Sequence, residues 1–165
     1  MKIFVRLLAF AAVLALGVWL WTVLFPSPEK VIRTRLRDVA RAASFAPKEG
    51  LLARVANAQK LAGYFAPQIE VNIDLPGHEQ HELGGRDEIA QAALVARRNV
   101  RALQVDFLDA HVTLAPDQQS AVVNLTVKAK IPDEKDYLVW EMKFTLKKID
   151  GEWLINRVET VRTLQ

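Results

Sequence analysis

The sequence predicts an α+β domain behind a membrane anchor: an N-terminal transmembrane helix, then three helices packed on a strongly curved antiparallel sheet, in the order α-α-β-β-α-β-β-β-β. Three observations carry this reading. The first 25 of the 165 residues hold one long apolar run without charge. Three segments between residues 28 and 101 repeat apolar side chains at helical spacing. The last third alternates apolar and polar residues over four long runs, broken at Pro116-Asp117, Pro132-Asp133 and Asp150-Gly151. One apolar sheet face needs cover, and the helices supply it.

From Leu7 to Phe25 no residue is charged. As a helix this run would span roughly 28 Å, against the ~30 Å of bilayer hydrocarbon. Trp19 and Trp21 lie near its C-terminal end, where amphipathic rings favour the headgroup zone. A cleavable signal peptide is the rival reading, with Lys2 and Arg6 as its basic start. Its apolar region is ordinarily ~7–15 residues, and the one small-x-small site, Val13-Leu14-Ala15, would leave "LGVWLWTVLF" at the new terminus. Residues 1–25 are therefore expected to be an uncleaved transmembrane signal anchor, 26–28 a short linker, and 29–165 the domain. Lys2 and Arg6 favour a domain on the non-cytoplasmic side of a bacterial-type inner membrane; Lys30, Arg33, Arg35, Arg37 and Arg41, just after the span, pull the other way.

Lys and Arg number 22 and Asp and Glu 19, a net charge of +3. Setting aside Lys2 and Arg6 leaves 22 − 2 = 20 against 19, since no acid precedes Glu29. The domain is nearly neutral, which removes the electrostatic case for nucleic-acid binding. With no cysteine, disulfides, thiolate metal sites and cysteine nucleophiles are excluded.

Along the domain, Ser27-Pro28 reads as N-cap and first helical residue. Ile32, Leu36, Val39, Ala40 and Ala43 form the buried stripe of the first helix; Lys30, Arg33, Arg37 and Arg41 form a basic one. A second helix is expected over about Gly50 to Ala62, burying Leu51, Val55, Ala58 and Ala62. "QIEVNIDL" reads as a strand, Pro76-Gly77 as a turn and "HEQHEL" as a short return strand. A third helix is expected over 86–101, with Ile89, Ala93, Ala96 and Val100 inward. Four strands follow at roughly 103–114, 119–131, 137–149 and 153–163. Val123, Leu125, Val127 and Ala129 share one face; Trp140, Met142, Phe144 and Leu146 do the same on the next strand. In the first of these strands Leu103, Val105 and Phe107 lead on odd numbers, then Leu108, Ala110, Val112 and Leu114 on even ones. A period-2 pattern changes parity only through an inserted residue, so a β-bulge is predicted near Phe107–Asp109.

"GGRDEI" at 84–89 and "DGEWLINRVE" at 150–159 are the pieces by which residues 29–164 resemble the nuclear-transport-factor-two-like (cystatin-like cone) superfamily. The resemblance implies a curved sheet wrapped around the third helix, a cone that often holds a ligand, and frequent dimerisation through the outer sheet face. Its members include isomerases, cyclases, dehydratases, transport adaptors and membrane-anchored subunits of secretion machines, so fold alone does not choose a function.

Enzymes of this kind carry an acid, base or tyrosine inside the cone, where burial tunes it. The inward runs here offer Val, Leu, Ala, Trp, Met and Phe. By simple alternation Trp153, Ile155, Arg157 and Glu159 share a side, which makes Arg157 and Glu159 candidate ligand contacts at the mouth, or else a surface ion pair. Tyr64 is a third candidate ligand contact, or a buried, satisfied tyrosine. "HEQHE" at 78–82 lacks helical zinc-hydrolase spacing, and alternation puts His78 and His81 on opposite faces; no metal site is expected. His111, like Asp106 and Asn124, falls on the outward parity. No phosphate loop, nucleophile elbow or cofactor motif is present. The basic stripe of Lys30, Arg33, Arg37 and Arg41 begins within a few residues of the anchor and suits anionic headgroups, at about 1 kcal/mol per residue; a plain solvated helix face explains it equally. The expected function is a membrane-anchored, non-catalytic binding or scaffolding domain. It would serve a protein partner, as a homodimer or in an envelope complex, or a small apolar ligand. The alternative is an isomerase-, cyclase- or dehydratase-type enzyme acting on a hydrophobic molecule in the cone. An apolar outer patch around Val122, Tyr137 and Val139 is expected for the first.

Overall fold

A computed structural model describes residues 26–73, 81–132 and 136–161, together with Leu14, Leu16 and Gly17. The elements described within residues 26–161 are the helices α1 (Pro28–Ala43), α2 (Leu51–Ala62) and α3 (Arg86–Asn99) and the strands β1 (Phe65–Ile73), β2 (His81–Leu83), β3 (Gln104–Leu114), β4 (Ser120–Lys130), β5 (Leu138–Ile149) and β6 (Glu152–Thr160). They form one sheet in the order β2-β1-β6-β5-β4-β3. Among the described residues no helix is long and apolar enough to cross a membrane. The segment expected to do so, Leu7–Phe25, lies outside them apart from the three residues named; so do the Pro76-Gly77 turn and His78.

The start of α1 follows its sequence. Ser27 Oγ accepts from the Lys30 amide at 3.4 Å, Pro28 opens the helix, and Glu29 places an acid at the positive end of the dipole. Ile32, Leu36 and Val39 are then buried against the sheet. At the other end, Ser44 Oγ donates to the Ala40 carbonyl and accepts from the Val105 amide, and Phe45 bridges to Leu103, which fastens α1 to the edge strand β3.

The core lies between the helices and one sheet face. Val123, Leu125 and Val127 of β4, Met142, Phe144 and Leu146 of β5, and Trp153, Ile155 and Val158 of β6 meet Ile32, Leu36 and Ile89. Each such side chain contributes roughly 1.5–3 kcal/mol on burial. Phe107 meets Phe144 edge to face, ring centroids 5.5 Å apart. The bulge in β3 is present: pairing with β4 shifts between Leu108 and His111, and Asp109 takes a positive φ of 52°. The switch falls immediately after Phe107, so Leu108 is exposed rather than inward. The Asp150-Gly151 hairpin turn has both residues at positive φ, 51° and 85°, as two-residue hairpins require.

Four expectations are corrected. The sheet is mixed, not antiparallel throughout: β1 runs parallel to β6, pairing Glu70 with Arg157 and Asn72 with Glu159. Alternation fixes a strand's faces but not its direction, and no hairpin joins these two strands. In α2 only Ala58 and Ala62 are buried; Leu51 and Val55 are exposed, so the apolar cover on this helix falls on its C-terminal half. In α3 Ala93 and Ala96 are half-buried, as is Val100 at its C-cap, while Ile89, Ala90 and Arg97 are buried.

The fourth concerns β6. Leu146 pairs with Ile155 but Thr145 pairs with Arg157, so Asn156 is an extra residue. Parity changes there. Val158 joins Trp153 and Ile155 in the core, and Arg157 and Glu159 go to the outer face.

Candidate functional site

Three polar regions are candidates. The first lies among the helices. Arg97, near the end of α3, is the one buried charged residue among those described. Its Nη1 donates to both Glu49 carboxylate oxygens, at 2.9 and 2.8 Å, its Nη2 donates to the Ala42 carbonyl, and its guanidinium carbon stands 4.9 Å from the Phe45 ring centroid. Asn57 Nδ2 also donates to Glu49. Burial alone would raise the Glu49 carboxyl. Hydrogen bonds from Asn57 and Arg97, with the charges of Arg97 and Arg54, outweigh it and hold that carboxyl below the usual carboxylate range. Both terminal nitrogens of Arg97 are thus engaged within the protein, and the group joins α3 to the α1–α2 connection. Sequence reading missed Arg97. Its trace was there: residue 97 falls on the stripe of Ile89, Ala90 and Ala93, where a lone arginine signals a buried partner.

Beside this knot is a recess of about 170 Å³ lined by Asp38, Arg41, Ser44, Lys60 and Tyr64. It is smaller than the ~300–1,000 Å³ of small-molecule sites. Tyr64, a predicted ligand contact, is half-buried against the core, with the Arg35 guanidinium 5.4 Å from its ring centroid.

The second region is the outer sheet face. Arg157 Nε lies 3.1 Å from Glu159 and 3.6 Å from Glu70, and Lys143 lies 3.5 Å from Glu159. The two predicted site residues are together, but on the far side of the sheet from Tyr64 and the core. They do not line the cone. Asp106, His111 and Asn124 are exposed on the same outer face. Val139 and Tyr137 are 56% and 48% exposed, while Val122 is half-buried. The Tyr137 ring lies under two ammonium groups, Lys128 at 3.8 Å and Lys130 at 4.9 Å from its centroid. The apolar patch is therefore narrower and more cationic than expected. Among the described residues no three metal-ligating side chains come together.

The third region is the basic face of α1. Lys30, Arg37 and Arg41 are exposed. Arg33 differs from them: it binds Glu29 on its own helix and the Ala110 carbonyl at the β3 bulge.

These features can be set against known proteins. No protein-family model and no curated protein sequence matches the chain. Solved structures do. The chain has the cystatin-like cone fold of nuclear-transport-factor-two-like proteins. A domain of unknown function with a cystatin-like fold from Nostoc punctiforme superposes with a TM-score of 0.63 at 18% identity, over 86% of this chain and 80% of that one. A nuclear-transport-factor-two-like protein from Novosphingobium aromaticivorans gives 0.61 at 16% identity, over 89% and 86%. A provisionally named scytalone dehydratase from Novosphingobium aromaticivorans gives 0.59 at 18% identity, over 82% and 84%. At these identities the likeness is one of fold.

Proposed function

We propose that this chain is a membrane-tethered, non-catalytic binding domain, held on the non-cytoplasmic side of an inner membrane and engaging a protein partner through its outer sheet face. The observation that carries the reading is the composition of the inner face: the regularly paired inward side chains of β3 to β6 among the described residues are hydrocarbon, aromatic or thioether apart from Thr160, and the bulge residue Asn156 adds one buried amide oxygen but no acid or base. Proton transfer at a carbonyl or hydroxyl needs a positioned acid or base within hydrogen-bond reach of substrate. Among the described residues the one buried charge is Arg97, and its Nη1 and Nη2 are engaged by Glu49 and Ala42. For a dehydratase-like activity, which the name given to one structural neighbour suggests, the candidate contacts are Tyr64, Arg157 and Glu159; the last two face outward, and Tyr64 alone supplies no acid–base pair. The outer face instead offers Val139, Leu108 and Val161 exposed between charged rows, the mixed texture of non-obligate interfaces. The uncharged run of residues 7–25 supports the tether.

Photo-crosslinking in the native membrane tests this. A photoreactive residue at Val139 should give a discrete protein adduct, with a second copy of the chain or another envelope protein, while one at Gln59 on α2 should not. A reporter fused after Gln165 should be active outside the cytoplasm. No adduct from Val139, or a reporter active only inside, would overturn the reading.

A further inference from the structure

The seam between α1 and β3 opens into a groove of about 500 Å³, within the roughly 300–1,000 Å³ of small-molecule sites. Its floor is Leu36, Phe107 and Ala110, and its walls carry Lys30, Arg33 and Arg37. The three cations are not equivalent. Arg33 donates from Nε and Nη2 to Glu29 Oε1 at 3.0 and 2.9 Å, and from Nη1 to the Ala110 carbonyl at 2.8 Å. It ties the helix to the bulge and so shapes the groove. Arg37 donates to the neutral Thr34 Oγ1 at 2.9 Å. Among the described residues neither Arg37 nor Lys30 has an ion-pair partner. Asp109, at the bulge, is the one acid in the lining.

Two uncommitted cations beside an apolar floor match an amphiphile with an anionic head. The position matches too. Lys30 comes five residues after Phe25, the end of the uncharged run, with the Ser27-capped start of α1 between them. A groove that opens on Lys30 therefore begins where the chain would leave the bilayer.

We propose that this groove seats one anionic phospholipid, its phosphate between Lys30 and Arg37 and its first apolar carbons on Leu36, Phe107 and Ala110. The Asp109 carboxylate accepts from a headgroup hydroxyl. This rests on the membrane-tethered reading above and adds a specific ligand to it. Arg41 shares the exposed helix face but lies outside the groove and pairs with Asp38 at 3.5 Å, which makes it the internal control.

The full chain in neutral detergent is mixed with equimolar phosphatidylglycerol and phosphatidylcholine, and retained lipid is counted by native mass spectrometry. One phosphatidylglycerol should be retained in preference to phosphatidylcholine, by roughly tenfold or more, the scale set by two surface cations. The double variant Lys30→Glu, Arg37→Glu should lose the preference; Arg41→Glu should keep it. Ala110→Leu, which fills the floor without changing charge, should also release the lipid. Equal retention of the two lipids, or equal loss in Arg41→Glu and Arg37→Glu, overturns the proposal. Displacement of phosphatidylglycerol by millimolar glycerol phosphate would make the site one for a soluble phosphate and overturn it too. Alkaline extraction of membranes separates the two readings. A chain that stays in the membrane without lipid preference breaks the groove alone, whereas a chain that is extracted breaks the tether.

Discussion

Two arginine–glutamate pairs in this molecule share a chemistry and differ in place. Arg97 and Glu49 meet at 2.8 Å with side chains 2% and 14% exposed; Arg157 and Glu159 meet at 3.1 Å with side chains 44% and 29% exposed. Around the first, little water is at hand to replace a lost partner, so each charge depends on the other and on Asn57 and Ala42. Around the second, water is an adequate substitute. What separates them is burial: the pair enclosed among the helices is structural, and the pair open to water on the sheet is replaceable.

The largest expected effect follows from the buried pair. Arg97→Ala leaves Glu49 a mostly buried carboxylate with only the Asn57 hydrogen bond and the Arg54 charge to offset it, and removes the cation from the Phe45 face. The loss should be about 3–5 kcal/mol, read from urea unfolding. Replacing both partners, Arg97→Met with Glu49→Leu, should recover most of it, because the cost lies in stranding a charge rather than in lacking the pair. A single-variant loss below about 1 kcal/mol would erase the contrast with the outer pair.

Acid sharpens the same contrast. The folded protein holds the Glu49 carboxyl below its ordinary value, so the unfolded chain binds its proton first. The stabilisation is therefore fully present above the unfolded value of about 4.3. It is lost as pH falls toward and through the lower folded value. Glu49→Gln should flatten the acid limb of a stability–pH curve. An unchanged acid limb in Glu49→Gln would show that the carboxyl is not held low.

The two bulges show what could be read beforehand. In β3 the apolar positions change parity, from Leu103, Val105 and Phe107 to Leu108, Ala110, Val112 and Leu114, which calls for an inserted residue even though Leu108 itself faces out. In β6 the run Trp153-Leu154-Ile155 is apolar on both faces and hides the parity. The remaining trace is the three-residue step from Ile155 to Val158, which an uninterrupted strand does not allow between two inward positions. Reading through it carried Arg157 and Glu159 to the wrong face and created a mouth contact that the fold does not have. The same limit explains α2. Helical spacing places Leu51 and Val55 on one side with Ala58, but only packing decides how far along a helix the cover extends. The basic stripe of α1 was legible as a stripe. That Arg33 is diverted to the Ala110 carbonyl was not, because the partner is a backbone atom 77 residues away.

The smallest expected effect belongs to Arg157. It stands between Glu159 and Glu70, and Glu159 also reaches Lys143, so the group crosses β1, β6 and β5. The β1–β6 junction is parallel and has no hairpin, which makes Arg157–Glu70 a side-chain link where the chain supplies none. Even so, Glu70 is 66% exposed, and water solvates it when the arginine leaves. Arg157→Ala should cost about 0.2–1 kcal/mol, and less as salt shortens the ~10 Å screening length of 0.1 M solution. A salt-independent loss above about 2 kcal/mol would mean that the outer network is held as tightly as the buried knot, and the distinction between the two faces of this domain would fail at the β1–β6 junction.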